Sequence, residues 1–257
     1  MSETQSIEID QELARKLLIE GGTLFFQNVP KKTIFGIDTK TWNTGEKFKG
    51  IKMIPPGLHF IHYSATNKYD DVVPRAGFMY NFKKSEFLVK KWNLETEDIS
   101  NEVIPECEVE RLKSNLLNLD PYLGVYPFDV FIKWKNLTEY ITDELVARLV
   151  PLSGQIRSAL ELSACEKPEV SKRRSRPSTA EEKEDDLLPH LQAKPGTELR
   201  FTPFPSKDYP DGATPAEITK HMMDPTYSLE TMLSTYNKPV DFVGELQFAF
   251  VCFFIGH

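Results

Sequence analysis

FGIDTKTWNTGEKFKGIKMIPPGLHFIHYSA, Phe35 to Ala65, is the stretch whose reading decides the fold. Ile34 to Asp38 is a β-type run, and the Asn43–Thr44–Gly45 cluster breaks it. Phe48 to Ile54 is a second run, with Ile51 and Met53 expected on one face and Lys49 and Lys52 outside that alternation. Pro55–Pro56–Gly57 then turns the chain. Pro56 presets φ at the second turn position, and Gly57 supplies the positive φ that a type II turn needs next. Leu58 to Ser64 returns as a third strand, with Leu58 and Phe60 on one side and His59 and Ile61 on the other. The pattern predicts a hairpin, with the N-terminal segments extending its sheet and later segments covering it.

Working outward, Asp10 to Glu20 reads as a helix, with Asp10 as its cap, Leu13 and Leu17 at i and i+4, and Gly21–Gly22 as its stop. Thr23 to Val29 is a strand, and Pro30–Lys31–Lys32 turns it into Thr33 to Asp38 as a further hairpin. Asn67 to Pro74 is a polar loop. Ala76 to Phe82 and Glu86 to Trp92 alternate as strands, joined by Lys83–Lys84–Ser85 as another hairpin. At least seven short strands before Asn93 predict a sandwich or a curled sheet. Helices follow. Glu106 to Leu119 lines up Val109, Leu112, Leu116 and Leu119, and Asp120–Pro121 ends it. Phe128 to Trp134 continues helically with Phe128, Phe131 and Ile132 clustered, and Thr142 caps a helix running to Leu149. These helices are expected to cover one face of the sheet. The fold class is α+β. Residues 1–152 form a β-rich, sandwich-like N-terminal domain with covering helices, and residues 195–210 hold a connection with a late strand over Thr197 to Phe201.

Between them, residues 153–194 carry little that can bury apolar surface, so the cost of ordering the chain is not offset and a flexible, disordered linker is expected. Lys172, Arg173, Arg174 and Arg176 sit beside Ser171, Ser175 and Ser178, and Glu181, Glu182, Glu184, Asp185 and Asp186 follow. One reading is a phosphorylatable or nuclear-targeting segment with those three serines as acceptors. The other is a solvated loop with charges of both signs.

Residues 211–257 begin a helical domain. Thr214–Pro215–Ala216–Glu217 combines a capping box with proline at the first helical position. Asp224–Pro225 repeats the start signal for a helix to about Tyr236, and Pro239 with Asp241 starts a third. Val243, Leu246, Phe250 and Phe253 share a stripe there, while Phe248, Val251, Phe254 and Ile255 fill the other sides. A helix apolar nearly all round expects several neighbours. The chain stops at His257 before supplying them, so a shortened form with an incomplete helical domain is expected.

At 257 residues, with 40% hydrophobic and 27% charged residues, the chain is ordinary for a globular protein. Its net charge of −7 argues against sequence-independent binding to RNA or DNA, which depends on neutralising phosphates. Cys107, Cys165 and Cys252 have no CxxC or Cys/His spacing, so neither a zinc site nor any other metal or cofactor is expected, and reduced thiols are. The N-terminus lacks the apolar core of a secretory signal, and Phe248 to Ile255 is far shorter than the ~20 residues of a membrane helix. No membrane association is expected, and cytoplasm and nucleus follow as the compartments.

No catalytic residue set is expected from the sequence. His59 and His62 lie three apart on a strand and so face opposite sides, which keeps them from sharing a metal. His221 has no cysteine or paired carboxylates nearby. Asp38 near His59 or His62 imitates an acid/base pair, yet Ser64 has no nucleophile-elbow glycines, and GxxxxGK[ST] and GxGxxG are both absent. Phe48, Phe60 and Trp42 beside Lys47, Lys49 and Lys52 suit either an RNA-stacking platform or, more simply, a core with a solvated rim. Three classes stand: a protein-binding assembly factor, a hydrolase or transferase with a spatially assembled site, and a single-stranded RNA binder.

A resemblance separates them. Gly36–Ile37–Asp38 followed by Trp42, then KFKG, KMIPPG, HF and HYS in order, resembles the N-terminal domain of the AAR-two splicing-factor family. DGATPAEITKH, Asp211 to His221, and GELQFAFVC, Gly244 to Cys252, resemble the same family in the same order. The resemblance implies a β-rich domain joined to a helical, VHS-like domain, with no enzymatic activity. It implies that the two grip the C-terminal region of the large U5 small nuclear ribonucleoprotein scaffold, including its RNase H-like domain, during assembly, and delay docking of a U5 helicase. A shortened helical domain would lose one of two linked contacts, which removes an effective-concentration gain of ~10²-fold or more.

Overall fold

The structure, a computed structural model, describes residues 11–66, 73–100, 102–158, 162–164 and 191–256. The expected Asp10 cap, most of the 67–74 loop, Cys165 and the serines Ser171, Ser175 and Ser178 lie outside the described residues. After α1 (Gln11–Glu20) come β1 (Gly22–Gln27), β2 (Ile34–Ile37), β3 (Lys40–Asn43), β4 (Gly50–Ile54), β5 (Gly57–Ser64), β6 (Ala76–Phe82), β7 (Phe87–Asn93) and β8 (Asp98–Ile99). Then follow α2 (Glu106–Ser114), α3 (Leu116–Leu119), β9 (Leu123–Val125), α4 (Phe131–Leu137), α5 (Asp143–Leu149) and β10 (Ile156–Arg157). The first ten strands form two five-stranded sheets, in the orders β8-β7-β1-β4-β9 and β10-β6-β5-β2-β3.

These orders confirm a sandwich and overturn all three expected hairpins. β1 and β2, β4 and β5, and β6 and β7 each lie in different sheets. The turns read from the sequence are real, and Gly57 takes the positive φ expected of it, at 135°. They are corners between layers, not hairpin loops. Two sheets must each bury an inner face, so the chain crosses the ~10 Å between layers at these turns. Hairpins form elsewhere: β7 with β8, pairing Asn93 with Asp98, and β2 with β3, pairing Ile37 with Lys40 around Asp38, which holds a φ of 54°. The alternation expected for β4 also fails. Met53 has a φ of 60°, and the register slips between Gly22↔Ile54 and Leu24↔Ile51. That bulge puts Ile51 and Ile54, both fully buried, in the core, with Met53 only partly buried against it.

Alternation along the strands divides the core. Leu24 and Phe26 of β1, Phe35 of β2, Ile61 and Tyr63 of β5 and Phe82 of β6 fill the space between the sheets. Phe25, Val89 and Leu123 face outward from the first sheet and are covered by Val109, Leu112, Leu116 and Leu119, the stripe read from the sequence. Phe60 faces outward from the second sheet, beneath Trp134, Ile141, Leu145 and Leu149. The helices therefore cover two opposite outer faces, not one. Thr142 caps α5 as expected, accepting from the Leu145 amide at 3.2 Å, while Ile132 is largely exposed and leaves the expected Phe128–Phe131 cluster.

The stretch expected to be a flexible linker is ordered at its described ends. β10 pairs with Ala76 and Gly77 of β6, and β11 (Leu162–Ala164) pairs with β12 (Leu191–Ala193) as a two-stranded ribbon. Thr197 to Phe201, expected as a late strand, joins no sheet. Arg200 instead donates to the carbonyls of Ala147 (2.6 Å) and Val150 (2.9 Å), satisfying the last turn of α5. The C-terminal helices are α6 (Pro215–Met223), α7 (Thr226–Leu233) and α8 (Pro239–Phe254). The capping box of α6 is present in both directions between Thr214 and Glu217. α7 ends three residues short of the expected Tyr236.

Candidate functional site

Asp38 and His59 do meet. β2 ends at the turn that carries Asp38, and β5 passes beside it, so His59 Nδ1 lies 2.8 Å from Asp38 Oδ2. The Tyr126 hydroxyl donates to the same oxygen, and the Phe60 amide donates to Oδ1 at 3.1 Å. His59 Nε2 lies 2.8 Å from the Pro55 carbonyl oxygen. Both ring nitrogens are therefore engaged within the protein, one by the carboxylate and the other by the peptide carbonyl. Burial, then the charge and hydrogen bond of Asp38, push the Tyr126 phenol far above its ordinary range, so it stays a donor. Asp38, His59 and Tyr126 are all sealed inside the sandwich. The triad is a completed buried network in which each partner satisfies another.

His62 does not join it. The two histidines face opposite sides, as their spacing requires, and His62 stacks on Phe60 at 5.6 Å on the outer face. It is fully buried, and neither ring nitrogen has a hydrogen-bond partner among the described residues. Burial, then the charge of Arg75, lower its pKa to about 4, and the nearby Asp38 carbonyl offsets only part of that. Ser64 is buried and donates to Val73. Among the described residues, no group of three or more His, Cys, Asp or Glu is placed to hold a metal ion. Cys107 is exposed, and burial pushes the Cys252 thiol up to about 12.

The aromatic and basic residues that suited an RNA platform part company. Phe60 lies under the helices on one face, whereas Trp42 and Phe48 pack around Phe35. Lys52 is paired with Asp120 at 2.6 Å, and Lys49 lies over the Phe25 ring. The sheet edges are short: β8 and β10 have two residues, β9 three and β3 four. On β3, Lys40 is paired with Asp129 at 2.7 Å. Such edges offer little backbone for another strand to pair with.

The feature that sequence reasoning missed is a polar joint at α8. Glu245, only 6% exposed, accepts from Arg148 Nη2 (2.5 Å), the Thr202 amide (2.5 Å), the Thr202 hydroxyl (2.8 Å) and the Tyr236 hydroxyl (2.9 Å). Arg148 also donates to Thr202 Oγ1 at 2.7 Å and lies over the Tyr236 ring. Burial alone would raise the Glu245 pKa. The bonds from Thr202, Arg148 and Tyr236 outweigh it, and the carboxyl is held below its usual range. Arg75 donates to the Ile255 carbonyl at 2.6 Å and satisfies the far end of the helix. The signal was present in the sequence: a glutamate inside VGELQFAF must be paired if that face is buried. Phe248, Val251 and Cys252 fill the same face against Phe60, Trp134 and Leu149. The expected stripe of Val243, Leu246, Phe250 and Phe253 is the exposed side of α8, with Leu246 at 63% and Phe253 at 64%.

Comparisons with known proteins match both parts of this arrangement. A profile of the AAR2 N-terminal domain matches residues 20–151, and one of the AAR2 C-terminal repeat region matches residues 201–257. The mouse Protein AAR2 homolog is 42% identical over 264 residues, covering 98% of this chain and 69% of that protein. The human Protein AAR2 homolog is 40% identical over 268 residues with the same coverage. The Caenorhabditis elegans Protein AAR2 homolog is 34% identical over 259 residues, 95% of this chain and 70% of that protein. With both regions matched in order across nearly all of its length, the chain belongs to the AAR2 family.

Proposed function

We propose that this protein is a non-enzymatic assembly factor of pre-mRNA splicing that works by binding another protein. Membership of the AAR2 family supports a splicing-related assembly role. The finer reading is that it binds the C-terminal region of the large U5 scaffold protein, including the RNase H-like domain, and holds it in an assembly-stage form in the cytoplasm and nucleus. The observation that carries the non-enzymatic half is the Asp38–His59–Tyr126 network. This is a histidine–aspartate pair of the kind hydrolases use, but with both ring nitrogens and both carboxylate oxygens already hydrogen-bonded within the protein and all three side chains buried. The dispersal of Phe60, Trp42 and Phe48 over different clusters, together with the net charge of −7, supports a protein partner over single-stranded RNA. The apolar outer side of α8 is the kind of surface that another polypeptide covers.

The test is a pull-down of this polypeptide against the purified C-terminal half of the scaffold protein, with the human relative alongside. Saturable binding at micromolar concentration or tighter is expected. Binding by the relative with none by this chain would overturn the reading. So would tight RNA binding that collapses as salt is added.

A further inference from the structure

Thr202 stands directly before Pro203 in an irregular stretch from Phe201 to Pro210, with the side chains of Phe201, Pro203 and Phe204 exposed around it. A residue before proline is held extended, the conformation in which kinases read their substrates. The same threonine sits inside the joint that fastens α8 to α5. Its hydroxyl lies 2.8 Å from Glu245 Oε2 and 2.7 Å from Arg148 Nη1. We propose that Thr202 is a phosphoacceptor site for a proline-directed protein kinase, and that its phosphorylation opens the joint between α5 and α8. This goes beyond the partner-binding reading and does not depend on it.

In the reaction, Thr202 Oγ1 attacks the γ-phosphorus of a nucleoside triphosphate. A new P–O bond forms as the bond to the β-phosphate oxygen breaks, the hydroxyl proton passes to the kinase base, and a nucleoside diphosphate leaves. The consequence follows from what surrounds the oxygen. A phosphothreonine carries about −1.5 to −2 charge at neutral pH and has no hydrogen to donate. Placed on Thr202, it loses the bond given to Glu245 and confronts that buried carboxylate with like charge. It also competes for Arg148, which contacts both groups. The Thr202 amide and the Tyr236 hydroxyl then remain as neutral donors to Glu245. Leaving a buried carboxylate without its cation and facing like charge is destabilising, so α8 loosens from α5. The other Thr–Pro pair, Thr214–Pro215, lacks this consequence. Its hydroxyl serves an exposed capping box at the start of α6, where negative charge is favoured.

The folded chain is incubated with a proline-directed kinase and ATP, its phosphates are located by mass spectrometry, and amide hydrogen exchange is followed across Pro239–Phe254. Phosphate on Thr202 is expected, with exchange in α8 at least ~10-fold faster than in the unmodified chain. Thr202→Val, which keeps the Arg148–Glu245 pair, is expected to take no phosphate there and to keep slow exchange. In Glu245→Gln, compared with its own unmodified form, phosphorylation is expected to leave exchange nearly unchanged, because the amide donates to the phosphate. Absence of phosphate at Thr202 under conditions that load a control Thr–Pro peptide overturns the site. Phosphorylation with unchanged exchange in α8, or equal acceleration in Glu245→Gln, overturns the mechanism.

Discussion

A methyl group on Gly244 would lie 2.2 Å from the carbonyl oxygen of Tyr140 and 3.0 Å from Leu145 Cδ2. The backbone of α8 thus rests directly on the connection into α5, and Gln247, one turn on, accepts from the Tyr140 amide at 2.9 Å. In a free helix, Gly→Ala stabilises by ~1 kcal/mol. At this contact the sign reverses: Gly244→Ala is expected to destabilise by ~2–4 kcal/mol, lowering the melting temperature by about 5–10 °C. Leu246→Ser, on the exposed side, is expected to stay within ~0.5 kcal/mol. Thermal unfolding of the two variants separates a docked α8 from a loose one.

The Asp38 carboxylate answers three donors in a sealed site. Asp38→Asn replaces it with an amide whose NH2 accepts from none of them and so leaves a buried donor unmatched. A loss of ~3–5 kcal/mol is expected in urea unfolding. Tyr126→Phe removes one bond to a charged group and is expected to cost ~1.5–3 kcal/mol. If both variants kept wild-type midpoints, the network would not be holding the sheets together.

His62 makes stability depend on pH. Its pKa is about 4 when folded against 6.5 when free. Above 6.5 the ring is neutral in both states and the full stability is present. As pH falls from 6.5 towards 4, the unfolded chain binds the proton and the folded one does not, so stability is lost, by up to ~3 kcal/mol. His62→Leu is expected to flatten this limb between pH 7 and 4.5 in urea midpoints. An unchanged acid limb would move its origin to other groups.

Ser171, Ser175 and Ser178 are proposed to regulate partner release by adding negative charge within a basic run. Combined Ser→Asp changes are expected to weaken scaffold binding by ~10-fold, read as a change in Kd. Equal affinities would remove this role from the serines.

Much of this architecture was legible in the residues themselves. Alternation put His59 and His62 on opposite faces, and the Val109–Leu112–Leu116–Leu119 stripe met the sheet it was made for. Thr142 and Thr214 capped their helices because a cap is settled within four residues. Met53 escaped because a bulge leaves no mark on composition.

Local chemistry determined where strands, helices and turns fall, since φ preferences, caps and apolar periodicity act over a few residues. Which strand pairs with which was decided only in three dimensions. A Pro–Pro–Gly turn reverses the chain equally well within a sheet or between two, and burying two inner faces at once selects the second. The same holds for Arg148 and Glu245, 97 positions apart: each reads as an ordinary charge until packing buries the carboxylate against the guanidinium.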